Sequence, residues 1–321
     1  MRQPRLKANL LLVALALGAA VVATLALFAP YVGAEYLLRQ HGALVGPPPR
    51  QPIQGHWYGD YFLVENIDAT TFAIGEPRYY QGNYSYLLLG SSRALLFDAG
   101  TGSRDIVAVV RALTSLPVTV IPSHLHFDHV GALGRFERTA LIDLPSLRAR
   151  AASGKIHLQR YEFLGMGDSL PEPRFAVDEW WLPGATVDLG GRRVQLLSTP
   201  GHTPTSVALH DADRRQLFAG DFIYPSTLYA FLPGSSRSAY LATTRRLLAT
   251  LNPATHIYAA HMTDDPKIIA APVLGMADLR ALEATLAAIA VGDAKASGFY
   301  PRVYPVRGAI TFATGFAWNN R

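Results

Sequence analysis

Three histidines and an aspartate fall within six residues of the chain: His124, His126, Asp128 and His129, in the stretch Ser-His-Leu-His-Phe-Asp-His. Imidazole nitrogens and a carboxylate are the donors that borderline and hard divalent cations take up. Packed together without a cation, so many titratable groups are costly. His124 and His126 are two apart, and at the end of a strand such residues point to one side. Asp128 and His129 come after the chain has turned and aim at a neighbouring point. Two of the four can therefore serve one metal and two the next. A zinc site takes three or four protein ligands, so further donors must come from elsewhere.

The chain offers three. His202 stands in Ser-Thr-Pro-Gly-His-Thr, Asp221 in Phe-Ala-Gly-Asp, and His261 closes Ile-Tyr-Ala-Ala-His. Each lies just past an apolar run, where a rigid scaffold presents functional side chains on loops. Alone, each reads as a cap or a satisfied polar group. Beside the cluster they read together as the missing ligands, and a shared Asp221 carboxylate can bridge two metals. His41, His56, His157, His210 and His256 lack such a setting. There is no cysteine, which excludes thiolate ligands, disulfides and a cysteine nucleophile.

The elements that must position these residues can be read from apolar runs and turn residues. Residues 70–75, 84–90 and 93–100 read as strands, the last two as a hairpin ending in Asp-Ala-Gly-Thr-Gly. Residues 103–116 have helical spacing, with Ile106, Val109, Val110 and Leu113 on one face. A short apolar strand at 118–123 feeds the histidine cluster. Hairpins follow at 186–202 and 206–221, then a helix at 240–251, a strand at 255–261 and a helix at 276–291. Strands and helices mixed twice over suit an α+β domain of two packed sheets with helices outside.

The chain has 321 residues, half of them apolar, enough for a sizeable core. Of its net charge of +5, the first 52 residues hold +4, from Arg2, Arg5, Lys7, Arg39 and Arg50 against Glu35. The remainder is close to neutral, which argues against a nucleic-acid-binding surface. Residues 1–7 read as a basic segment and 8–29 as an apolar span. As a helix, that span just crosses a hydrocarbon core of about 30 Å. It reads as a transmembrane anchor, with a cleaved signal as the alternative, since Val-Gly-Ala at 32–34 is a tolerable cleavage site. Cations before the span place the domain on the extracytoplasmic, periplasmic side of the inner membrane. Residues 30–52 form a linker, stiff at Gly46–Pro52, and 53–321 the catalytic domain.

The ordered set His124, His126, Asp128, His129, His202, Asp221 and His261 resembles the signature of the metallo-β-lactamase superfamily, over roughly residues 61–261. The resemblance implies a four-layer αββα sandwich with two metals at one edge. One metal would take His124, His126 and His202, and the other Asp128, His129 and His261, with Asp221 bridging. Two zinc ions are expected; without a thiolate the donors also suit manganese, iron or cobalt.

Departures from particular branches narrow the expected chemistry. β-Lactamases of this family lack the bridging aspartate, and His126 stands where oxygen-reducing di-iron members carry a carboxylate. Glyoxalase II and the acyl-homoserine lactonases keep the aspartate. The pattern Gly220-Asp221-x-x-Tyr224, followed by Leu, Leu-Pro, Ser and Tyr-Leu up to residue 241, looks more like the acyl-CoA thioesterase members found in animals. The resemblance implies a hydrolase of a small acyl substrate, a thioester, ester or lactone, using a metal-held hydroxide that Asp128 orients. Tyr224 would donate to the oxyanion; its plainer role is packing. Phe222, Tyr224, Tyr229 and Phe231 line an acyl pocket or belong to the core. Asp98 either partners a ligand histidine or caps the turn at Gly100. The alternatives are β-lactamase-type amide hydrolysis, an iron-dependent sulfur oxygenase, or a metal-binding protein kept for interactions.

Overall fold

A computed structural model describes residues 54–315 apart from 152, 166–169 and 266–267, together with residues 13, 16–19 and 21. Those six N-terminal residues are helical and exposed. Among the described residues no helix is long and apolar enough to cross a membrane. Most of the anchor expected at 8–29, the basic segment 1–7 and the linker 30–52 lie outside the described residues.

The first sheet follows chain order: β1 (His56–Tyr58), β2 (Phe62–Asp68), β3 (Thr71–Glu76), β4 (Asn83–Leu89), β5 (Ala94–Phe97), β6 (Val118–Ile121), β7 (Arg138–Ile142) and β8 (Glu179–Trp181). Pairing is antiparallel from β1 to β5 and parallel from β5 to β8. The switch falls where the sequence changes from hairpin turns to a helical crossover. Helix α1 (Ile106–Leu113) joins β5 to β6, and its N-cap Asp105 accepts from the Val107 N–H. All four residues of β5 are buried, as expected for a strand covered on both faces. Short helices α2 (Phe127–Val130), α3 (Pro145–Arg150) and α4 (Arg160–Phe163) occupy the connections after β6 and β7.

The second sheet contains β9 (Thr186–Asp188), β10 (Arg193–Ser198), β11 (Val207–Asp211), β12 (Gln216–Phe218), β14 (His256–Tyr258) and β15 (Val273–Gly275), in the order β15-β14-β12-β11-β10-β9. A small third sheet sets β17 (Ile310–Thr314) between β13 (Thr227–Ala230) and β16 (Arg302–Arg307). Helices α5 (Arg237–Thr250) and α6 (Met276–Val291) complete the chain.

Period-two alternation divides the second sheet between two cores. Val207, Leu209, Phe218 and Tyr258 pack against the first sheet. Their neighbours Ala208, Leu217 and Ile257 face the other way, onto Tyr240 and Leu247 of α5 and Leu279 and Leu282 of α6. The buried residues of α5 (Tyr240, Thr243, Thr244 and Leu247) recur at helical spacing. Across the inner layer, the Tyr86 ring lies 5.1 Å from Phe218 and 5.9 Å from Tyr258, and its hydroxyl donates to Ala259 O at 2.6 Å. The result is the α+β sandwich of two facing mixed sheets, with α1 against one and α5 and α6 against the other.

The hairpin β1–β2 and the pair β16–β17 were not among the elements read from the sequence. At one end of the sandwich, buried Arg192 ties three turns together. Its guanidinium donates to Asp211 Oδ2 at 2.8 Å, Thr70 O at 2.7 Å and Thr71 Oγ1 at 2.9 Å. The strand ends at the opposite edge carry the histidines.

Candidate metal centre

Every candidate ligand stands beyond the C-terminal end of a strand. His124 and His126 follow β6, and Asp128 and His129 lie in α2. His202 follows β10, Asp221 sits in a 3₁₀ turn (Gly220–Phe222) after β12, and His261 follows β14. β10 and β12 both run antiparallel to β11, and β12 runs parallel to β14, so these three ends share one edge. The first sheet is joined there by the Val207 N–H donating to Ser123 O at 2.7 Å. Gly220, at φ +53°, lets the Asp221 turn approach closely: a Cβ there would lie 2.5 Å from Ser123 Cβ.

The structure brings all seven expected ligands together, and all are buried. They form two groups, His124, His126, His202 and Asp221, then Asp128, His129 and His261. In the first, His126 Nδ1 lies 2.8 Å from His124 Nε2 and 3.1 Å from His202 Nε2. Asp221 Oδ2 is 3.5 Å from His202 Nε2 and 4.0 Å from His124 Nε2. In the second, Asp128 Oδ2 is 3.3 Å from His129 Nε2 and 3.4 Å from His261 Nε2. Asp221 Oδ1 is 3.2 Å and 3.0 Å from the same two nitrogens. Donors held about 2.0–2.1 Å from a tetrahedral ion stand about 3.4 Å apart, so both groups have the spacing a cation requires.

Their chemistry fits as well. His202 Nδ1 is 2.8 Å from Tyr229 O, and His261 Nδ1 is 3.1 Å from Gln81 O. A carbonyl only accepts, so each Nδ1 carries a proton and each ring turns its Nε2 inward. Burial holds His202 down as a neutral donor, whereas burial of His261 is outweighed by Asp221 and Asp128, which hold it above its usual value. Buried His129 Nε2 and Asp221 Oδ1 have no hydrogen bond, although buried polar atoms are normally satisfied. A cation between the groups would satisfy both. Burial, reinforced by His129 and its neighbouring imidazoles, holds His124 well below the ordinary histidine range. Burial and His202 hold His126 down to about 3. Both are therefore neutral donors at physiological pH. Burial also pushes His129 down, but Asp128, Asp221 and Asp98 outweigh it and hold it well above its usual value. A proton there balances the carboxylates that a dication would otherwise neutralise.

A second ring of residues holds these ligands in place. Asp98 sits at φ +66°, accepts from the Ser123 N–H at 2.5 Å through Oδ1, and places Oδ2 3.0 Å from His129 Nδ1. It thus partners a ligand histidine. Ser123 Oγ lies 3.0 Å from His124 Nδ1. Asn83 Nδ2 donates to Asp128 O and Oδ2, and the Tyr240 hydroxyl shares its one proton between Phe222 O at 2.7 Å and Asp221 O at 3.1 Å. Asn83 and Tyr240 were missed in the sequence. The only signal for Asn83 is a polar residue opening an apolar strand, and Tyr240 reads as part of a helix core.

A cavity of about 230 Å³ opens beside the ligands, lined by Phe127, Leu164, Tyr224, Tyr229 and Met262 among others. Phe222 belongs to the outer core, and Phe231 packs on Tyr229 at 5.5 Å. Tyr224 lies against His261, ring centroids 5.1 Å apart, with its hydroxyl donating to Thr227 O at 2.6 Å. A phenol has one proton to donate, so a bond to substrate requires exchange of that partner.

Residues 79–261 match the model of the metallo-beta-lactamase superfamily. The protein named acyl-coenzyme A thioesterase MBLAC2 from Gallus gallus is 29% identical over 212 residues, covering 59% of this chain and 76% of its own. Its Homo sapiens namesake is 28% identical over 218 residues, covering 60% and 76%. Among solved structures, a metallo-beta-lactamase from Pontibacter korlensis aligns with a TM-score of 0.52 at 16% identity, over 70% of this chain and 99% of that one. This is a likeness of fold.

Proposed function

The chain belongs to the metallo-beta-lactamase superfamily, and on that premise we propose that it is a two-zinc hydrolase of acyl thioesters, with esters and lactones as related substrates. The observation that carries the two-metal reading is the Asp221 carboxylate, which stands between the two groups: Oδ2 lies 3.5 Å from His202 Nε2 and 3.1 Å from His261 Nε2, and Oδ1 lies 3.2 Å from His129 Nε2 and 3.0 Å from His261 Nε2. The relatives named as acyl-coenzyme A thioesterases support the choice of thioester.

Two divalent cations held by these residues would supply the charge that lowers the pKa of water to about 7 and polarises a substrate carbonyl. The protein's own part is orientation and proton handling. Asp128 is held by two Asn83 hydrogen bonds. Burial pushes its carboxyl up, but His129 and His261 bring it down to about 2. It is therefore an anion at neutral pH, able to accept a hydrogen bond from the attacking water. Tyr224, in the cavity wall, is the donor to the developing oxyanion, exchanging Thr227 O for substrate. The apolar wall of Phe127, Leu164 and Met262 excludes bulk water from the acyl group.

The test is a panel of acyl thioesters, lactones and β-lactams on metal-reconstituted protein, with metal content measured in parallel. Two zinc equivalents and thioester turnover are expected. One iron with oxygen uptake on a persulfide would overturn the reading.

A further inference from the structure

The cavity has a charge that the two-metal chemistry does not use. Asp264 lines it, three residues beyond His261 in sequence, on the loop that leads away from that ligand. The Ser226 hydroxyl donates to Asp264 Oδ2 at 2.5 Å, and Ser226 is itself anchored by its N–H to Tyr224 O and by its carbonyl accepting from Thr311 N. The carboxylate is thus fixed to the wall that carries Tyr224 and Thr227. Its field reaches across the cavity: burial first, then Asp264 and Asp221, push the Tyr229 phenol up. Among the described lining residues there is no lysine or arginine. The remaining polar surface is neutral, from Gln81, Thr227 and the tyrosines. A site built to hold a substrate carboxylate or phosphate places cations where that group lands; this cavity places an anion.

We propose that Asp264, held by Ser226, is a specificity residue that admits acyl groups whose far end is neutral or cationic and rejects those ending in a carboxylate or phosphate. This rests on the hydrolase reading above and refines its substrate class. The physical basis is like-charge repulsion at the mouth of the cavity, where Asp264 is exposed to solvent and its field is partly screened, used against the wrong substrate.

The experiment compares hexanoyl, adipoyl and aminohexanoyl thioesters of one uncharged thiol, on full-length metal-loaded protein and its Asp264→Asn variant. In parallel, binding of the three matching uncleavable thioethers is measured by calorimetry. Wild type should favour the hexanoyl over the adipoyl thioester in kcat/KM, and Asp264→Asn should shrink that ratio by about threefold, the scale of an interaction between solvent-exposed charges. The aminohexanoyl to hexanoyl ratio should fall in the variant. Thioether affinities should follow the same order. Ratios equal in wild type and variant, in turnover and in binding, overturn the proposal. If no thioester is turned over, the hydrolase reading fails while the thioether affinities still decide the role of Asp264.

Discussion

Asn83 donates from one amide nitrogen to two acceptors of Asp128, the backbone carbonyl at 3.1 Å and Oδ2 at 3.0 Å. Oδ2 is the oxygen that faces both His129 and His261. The amide therefore fixes the direction in which the only donor exclusive to the second group other than histidine points. Loss of such a supporting hydrogen bond typically weakens metal binding by about 10–100-fold. Asn83→Ala should lose one metal equivalent at chelator concentrations that leave wild type with two, while the group around His124 keeps its ion. Metal content after dialysis against graded chelator measures this. Two equivalents retained throughout would leave Asn83 a strand residue only.

Asp221 is the one candidate carboxylate that reaches histidines of both groups, so its removal should not behave like that of a histidine. Asp221→Ala should lower affinity at both positions, whereas His261→Ala should empty one. The 3₁₀ turn stays in place in either variant, because the Tyr240 hydroxyl bonds the carbonyls of Asp221 and Phe222 and not the carboxylate. Metal stoichiometry by mass spectrometry of the intact proteins separates the two outcomes. A single lost equivalent in Asp221→Ala would remove the bridge.

Tyr224→Phe keeps the ring against His261 and deletes the hydroxyl that bonds Thr227 O. If that hydroxyl turns to the oxyanion, kcat should fall by about tenfold or more, with a smaller change in KM. Metal content should be unchanged. Steady-state kinetics on the best thioester is the measurement, and an unchanged kcat returns Tyr224 to packing.

The seven candidate ligands could be picked out, and the structure gathers them at one edge, because residue type and local spacing mark them: four polar donors within six residues are hard to explain otherwise. The strands that aim them were legible for a related reason. The runs at 84–90, 93–97 and 206–211 are apolar or alternate with a clear period. β16 was not, because Pro305 and the flanking Arg302 and Arg307 break its pattern and a register shift follows Pro305. Asn83 and Tyr240 lie beyond such reasoning altogether. Their partners stand 45 and 19 residues away, and only tertiary structure brings them into range: Asn83 of β4 meets Asp128, which follows β6, across β5 in the first sheet, and Tyr240 reaches Asp221 as α5 packs on the second. Asp98 falls between: its turn was visible, but the choice between His129 and Gly100 needed the fold.

At the other end of the sandwich, Arg192 and Asp211 form an ion pair in which both side chains are almost fully buried. The guanidinium also satisfies Thr70 O and Thr71 Oγ1. Removing Arg192 leaves Asp211 only a longer contact, 3.5 Å, to the partly exposed Arg214 guanidinium and the Arg214 N–H, so the loss should fall toward the lower end of the about 3–5 kcal/mol typical of a broken buried pair. Arg192→Ala should therefore lower the denaturation midpoint strongly, with the metal stoichiometry of the folded fraction unchanged, since no ligand touches this cluster. Replacing both residues, as Arg192→Met with Asp211→Leu, should recover much of the loss. Chemical denaturation of the single and double variants tests this, and additive losses would contradict it.

Glu65 gives the fold a pH dependence independent of the metals. It is buried where the edges of both sheets meet, accepting from the Ala271 N–H at 2.7 Å and the Tyr84 hydroxyl at 3.1 Å. Burial pushes its carboxyl up from the ordinary 4.5, and the two hydrogen bonds only partly reverse this. Between the unfolded value and the raised folded one, the native state holds more protons than the unfolded chain, so stability falls as pH rises. The contribution of Glu65 is fully present below about pH 4.5 and is lost as pH climbs through the folded value. Glu65→Gln keeps an acceptor and removes the titration. The Tm of wild type minus that of Glu65→Gln, at equal metal loading, should therefore be most favourable to wild type at acid pH and decline toward neutrality. A difference that stays flat, or grows with pH, would show that burial does not hold this carboxyl protonated.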